Sequence, residues 1–168
     1  MATSDLENRL EVAREYIAQG DIERGLEWLH IAKHVAVNTQ TYFPAETITA
    51  ILESAKLKGD VGAAYRRLVE KELSTAKDRA RRGCLDYALK HIEQAREYAA
   101  PGEIELSRET IKLIFETAYQ TNIVERLERL GRAKHGVAVS APTLEKIGEL
   151  ARQDCRTAAE AYFGKLSG

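Results

Sequence analysis

Apolar residues recur at helical intervals through this chain, and Gly and Pro interrupt the pattern after each run. The periodicity and its punctuation predict helices over 5–19, 21–37, 44–58, 62–82, 84–99, 107–120, 122–134 and 141–165. Gly20, Gly59 and Gly83 stand where a chain leaving a helix takes a positive φ, so the links are expected to be short. In the second helix Ile22, Leu26, Leu29 and Ala36 form one apolar face, and Trp28, Ile31 and Val35 form another beside it. A helix apolar over so much of its circumference is normally sandwiched between neighbours. No stretch alternates apolar and polar residues between turn signals, so no sheet is expected.

The pattern repeats. Displacing the chain by 63 positions brings residues 10–56 onto 73–119 without a gap, and twelve of the 47 pairs are identical. They include Leu10 with Leu73, Ala13 with Ala76, Gly20 with Gly83, Leu26 with Leu89, Ala32 with Ala95, and Glu46-Thr47-Ile48 with Glu109-Thr110-Ile111. Many other pairs keep charge sign or apolar character, as Arg14 with Lys77 and Ile22 with Leu85 do. Part of the motif returns at Thr143, Leu144, Ile147, Glu149 and Ala151, which implies a shortened third unit over 122–165. Ser107 and Ser140 stand three residues before Thr110 and Thr143, where a hydroxyl can cap a helix start, and Pro44 holds the equivalent place in the first copy. The expected fold is all-α: one domain over 1–168 of tandemly duplicated antiparallel helical hairpins or three-helix units, forming a short solenoid or bundle.

Residues 5–38 resemble a tetratricopeptide repeat. Ala13 stands at the small residue of the first helix, Tyr16 at the aromatic that follows, Gly20-Asp21 at the turn, and Gly25, Leu29 and Ala32 at the small, large and small positions of the second helix. The second copy continues through Ala76, Gly83, Ala88, Ile92 and Ala95, but has Arg79 at the aromatic place. Arg9 and Glu72 take the place usually held by tryptophan, and the glycine spacing is irregular, so the resemblance is to a tetratricopeptide-like array with three-helix units. Three short helices with a Gly-Asp turn are also similar to the microtubule-interacting-and-trafficking domain. Both resemblances imply a binding module with a protein or peptide partner, and no cofactor.

Charge alters the picture only locally. Lys plus Arg number 25 and Asp plus Glu 26, so the total implies neither a bulk polyanion nor an acidic membrane as partner. From Val61 to Arg96, however, there are nine basic and five acidic residues, against six and ten from Met1 to Asp60. On the helix 62–82, Tyr65, Val69, Leu73, Ala76 and Ala80 make a core stripe, while Arg66, Arg67, Lys71, Lys77, Arg81 and Arg82 surround it as a candidate surface for an anionic partner. A solvated face softened by Glu70 and Asp78 is the favoured reading. Nucleic-acid binding through this helix is the alternative function, disfavoured because the aromatic interleaving typical of single-strand binders is missing. Arg126, Arg129, Arg132, Lys134 and His135 form a second basic cluster, with Glu125 and Glu128 as helical ion-pair partners.

Catalytic and metal chemistry find little footing in the sequence. No nucleophile with a plausible base, phosphate-cradling loop or zinc-hydrolase motif occurs, so no enzyme is expected. Glu27 and His30 have the Glu-x-x-His spacing of dimetal bundles, extended by Glu23 and His34, but Lys90 and Glu93 stand at the duplicated positions. A solvated face is expected there and no metal site. Cys84 and Cys155 read as lone free thiols. With no basic-then-apolar leader and no run long enough to span a bilayer, the expectation is a cytoplasmic, non-enzymatic protein-interaction or scaffold module.

Overall fold

A computed structural model describes residues 2–118 and Thr121. They form helices α1 (Ala2–Ala18), α2 (Ile22–Asn38), α3 (Ala45–Lys58), α4 (Val61–Arg81), α5 (Leu85–Ala99) and α6, helical over 108–118. No strand occurs among the described residues, and the all-α class stands. None of these helices is long and apolar enough to cross a membrane. The expected helices at 122–134 and 141–165, the second basic cluster, Ser140 and Cys155 lie outside the described residues.

The chain divides into two compact units, residues 1–71 with 97–104, and residues 72–96 with 105–168. In the first unit, Leu6, Leu10, Ala13 and Ile17 recur along one side of α1 and are buried. On α2 the first predicted face, Ile22, Leu26, Leu29 and Ala36, is buried, and Gly25 and Ala32 are buried with it. Trp28, Ile31 and Val35 are half-buried, as a second, less covered face would be. α1 packs on α2 and on α3. Tyr65, Leu68 and Val69 of α4 are buried as well.

The turn between α1 and α2 follows from one glycine. Gly20 has φ +87°, its N–H donates to Ile17 O, and the Asp21 N–H reaches back to Tyr16 O at 2.9 Å, which satisfies carbonyls left open at the end of α1. The Asp21 carboxylate then accepts from Arg24 N and caps α2. Gly59 departs from the expectation. Its φ of 172° is extended backbone that any residue adopts, and the reason for glycine is space: a Cβ there would lie 2.7 Å from Ile22 Cδ1. Asp60, next in sequence, caps α4 by accepting from Ala63 N at 2.9 Å.

The second unit has its own core of Ala76, Ala80, Ala88, Ile92, Ile111, Ile114, Phe115 and Ala118, with Leu73, Leu85, Leu89 and Leu106 half-buried against it. Its local geometry returns to that of residues 63 positions earlier. Gly83 also has a positive φ, of 73°, and the Gly83 and Cys84 amides donate to Ala80 O and Arg79 O as Gly20 and Asp21 do to Ile17 O and Tyr16 O. Further along, Gln40 (φ 51°) and Glu103 (φ 52°) close the ends of α2 and α5 in the left-handed region. Each is followed by an amide that reaches back five residues, Thr41 to Ala36 O and Ile104 to Ala99 O. Ser107 caps α6 as expected, accepting from Thr110 N at 3.3 Å.

Candidate functional site

Two groups of side chains carry enough chemistry to be considered: the cations of α4, and a cluster of imidazoles with a carboxylate. On α4, Arg66, Arg67 and Lys71 belong to the first unit, and Lys77, Arg81 and Arg82 to the second. Arg67 Nε bonds Glu23 Oε2 at 3.0 Å, and Lys71 Nζ bonds Glu27 Oε1, so two carboxylates of α2 occupy two of the cations. Arg81 is held by Asp78 at 3.0 Å. Arg66, Lys77 and Arg82 make no ion pair with the described residues. Beside the predicted set, Arg79 and Lys90 both lie over the Tyr87 ring, at 5.5 and 5.2 Å from its centre.

The second group is built on α2. His30 and His34 are four residues apart, so they share a helix face, and their rings meet edge to face with centroids 4.5 Å apart. Glu97, on the last turn of α5 and within the first unit, points one carboxylate oxygen at both: Oε2 lies 2.9 Å from His34 Nε2 and 3.4 Å from His30 Nδ1. Tyr98 closes the other side of His30, ring centre to ring centre 4.6 Å. His30 is the most enclosed member, and its Nε2 has no hydrogen-bond partner among the described residues. Burial holds its pKa below the ordinary histidine value, against the opposing attraction of the Glu97 carboxylate. Neutral His30 keeps one nitrogen lone pair, the form in which imidazole binds metals.

Glu27, the carboxylate that the Glu-x-x-His spacing selects, turns instead to Lys71. The carboxylate that joins the histidines is Glu97, which the sequence reading did not single out. A signal for it exists, because Glu97 stands at the same 63-residue offset from His34 that aligns the two similar stretches of the sequence. In the second unit His91 Nδ1 pairs with Glu72 Oε2 at 2.7 Å, a two-membered contact between α5 and α4. Cys84 is a free thiol and half-buried.

Comparison of the chain with protein-family models, with curated proteins and with solved structures finds no match.

Proposed function

We propose that this protein is a non-enzymatic protein-interaction or scaffold module built from tandemly duplicated three-helix units in a tetratricopeptide-like array. The observation that carries the reading is the unequal burial of the third helix in the two copies. On α6, Ile111, Ile114, Phe115 and Ala118 are all buried, with Ile111 and Phe115 at 1% and 2% exposure. At the matching positions of α3, Ile51 and Ala55 are buried, but Ile48 and Leu52 remain only half-covered. An apolar strip one turn apart is thus open on α3, and Val37 and Tyr42, just before that helix, are exposed. Such a strip suits the apolar face of a partner's amphipathic helix, laid alongside α3 with anchors at helical spacing. Recurrence of the same turns at a 63-residue offset supports the duplication, and stacked helical units characteristically offer extended binding faces.

The test places a photo-crosslinking residue on the full-length protein at exposed Thr49, beside the strip, and in a second protein at exposed Ala50, which faces away. A partner is expected to be captured from Thr49 and not from Ala50, and Leu52→Asp is expected to abolish the capture while helical circular dichroism is unchanged. Equal capture from both positions, or capture that survives Leu52→Asp, overturns the reading.

A further inference from the structure

We infer that His30, His34 and Glu97 form a binding site for one divalent transition-metal ion of zinc's class, which clamps α2 to the last turn of α5. Two imidazole nitrogens and one carboxylate oxygen make a donor set of intermediate softness, suited to zinc and its neighbours and poorly suited to calcium or magnesium, which prefer oxygen alone. The spacing fits. Zinc bonds of about 2.0–2.1 Å in a tetrahedron set donor atoms roughly 3.3–3.4 Å apart. Here one oxygen of Glu97 already lies 3.4 Å from His30 Nδ1 and 2.9 Å from His34 Nε2, and one donor atom from each of the three residues falls within 4.8 Å of the others.

The supports of the site are rigid where rigidity is needed. The histidines stand one turn apart on a helix whose far side is buried through Leu29 and Ala36, and the Tyr98 ring restrains His30 from the side. His30 is largely enclosed, with 12% of its side chain exposed, whereas His34 at 48% and Glu97 at 36% leave the cluster open to solvent on one side. Entry of the ion and a fourth ligand, water or a partner's side chain, are both provided for by that opening. Three protein ligands with one open position is an arrangement that zinc commonly accepts. The inference is independent of the α3 interaction face, since no residue is shared between them.

Zinc and cobalt titrations of the full-length protein test it. Stoichiometric zinc binding, read by competition with a chromophoric chelator, is expected for the wild type, with a melting temperature that rises with free zinc. Bound cobalt is expected to give the intense visible absorption of a four-coordinate site. His34→Ala and Glu97→Gln each remove one ligand at a partly exposed position and are expected to weaken binding by about 100-fold or more, given that even supporting groups around metal sites are worth 10–100-fold. His91→Ala, which disturbs the other histidine–glutamate contact, is the control expected to leave affinity unchanged. Absence of one-to-one binding at micromolar zinc overturns the inference. So does binding that survives His34→Ala and Glu97→Gln, or that is lost in His91→Ala.

Discussion

At Gly25 a single methyl group is enough to disturb the α1–α2 seam. A Cβ built there would lie 2.4 Å from Ile17 Cγ1, 2.9 Å from Ile17 Cδ1 and 3.2 Å from Ala13 O. Sixty-three positions further on, the two places are held by Ala80 and Ala88, so a smaller residue on one helix accompanies a larger one on the next. Gly25→Ala is therefore expected to cost about 1–3 kcal/mol through overpacking, despite the roughly 1 kcal/mol advantage of Ala over Gly inside a helix. Ile17→Ala alone opens a cavity and is expected to cost about 2–5 kcal/mol. Combined, the two changes reproduce the pair Ala80 and Ala88 found 63 positions on, and the double variant is expected to be more stable than the sum predicts by about 1 kcal/mol or more. Urea unfolding of the four proteins measures this coupling, and strict additivity would mean that the two sites do not compete for the same space. The small residue at position 25 was legible in the sequence, through its repeat position, but the side chain that demands it was not. Glu97 illustrates the same limit. A ligand search by helical spacing finds Glu27 beside His30, whereas the carboxylate that reaches the imidazoles comes from another helix and depends on how the two pack.

On the scale of single helices, α4 was read closely: 62–82 from periodicity against Val61–Arg81 in the structure, with Tyr65, Val69, Ala76 and Ala80 buried as the stripe required. Its boundaries were legible because Gly59 and Gly83 punctuate the pattern at either end; the Asp60 cap that starts the helix was not singled out in the sequence. The fate of its cations was not, because sequence spacing shows ion-pair partners on the same helix and not on a neighbour. Glu23 and Glu27 of α2, which take Arg67 and Lys71, are such neighbours. This partial neutralisation bears on the alternative function. Among the described residues, carboxylates engage Arg67, Lys71 and Arg81, half of the six candidate cations of α4, which weakens that helix as a surface for a phosphate backbone. A polarisation titration with a short labelled single-stranded RNA is expected to show no saturable binding at physiological salt. Saturable binding there, lost on combined Arg66→Glu, Lys77→Glu and Arg82→Glu substitution, would instead establish the nucleic-acid reading.

For the molecule as a whole, the 63-residue offset was visible in the sequence because twelve identities, the pair Gly20 and Gly83 among them, stay in register. The division into compact units was not, since it falls inside α4, between Lys71 and Glu72, and inside α5, between Arg96 and Glu97. Gly and Pro mark where helices end, whereas compact units follow packing, and a long helix can serve two of them. α4 and α5 each contribute residues to both units, so the consecutive backbone hydrogen bonds of each helix include residues assigned to both. Unfolding of the wild type is accordingly expected to be a single cooperative transition. Trp28, the sole tryptophan, lies in the first unit, so its fluorescence reports on that unit alone, while far-UV circular dichroism sums over all helices. The two signals should coincide in denaturant. Ser74 is exposed near the middle of α4, where Pro removes an amide donor, clashes with the preceding turn and costs about 3 kcal/mol or more. Ser74→Pro is expected to separate the signals, with loss of ellipticity beginning at lower denaturant than the change in Trp28 emission. If the wild-type curves already differ, or if they still coincide after Ser74→Pro, continuity of α4 is not what couples the two units.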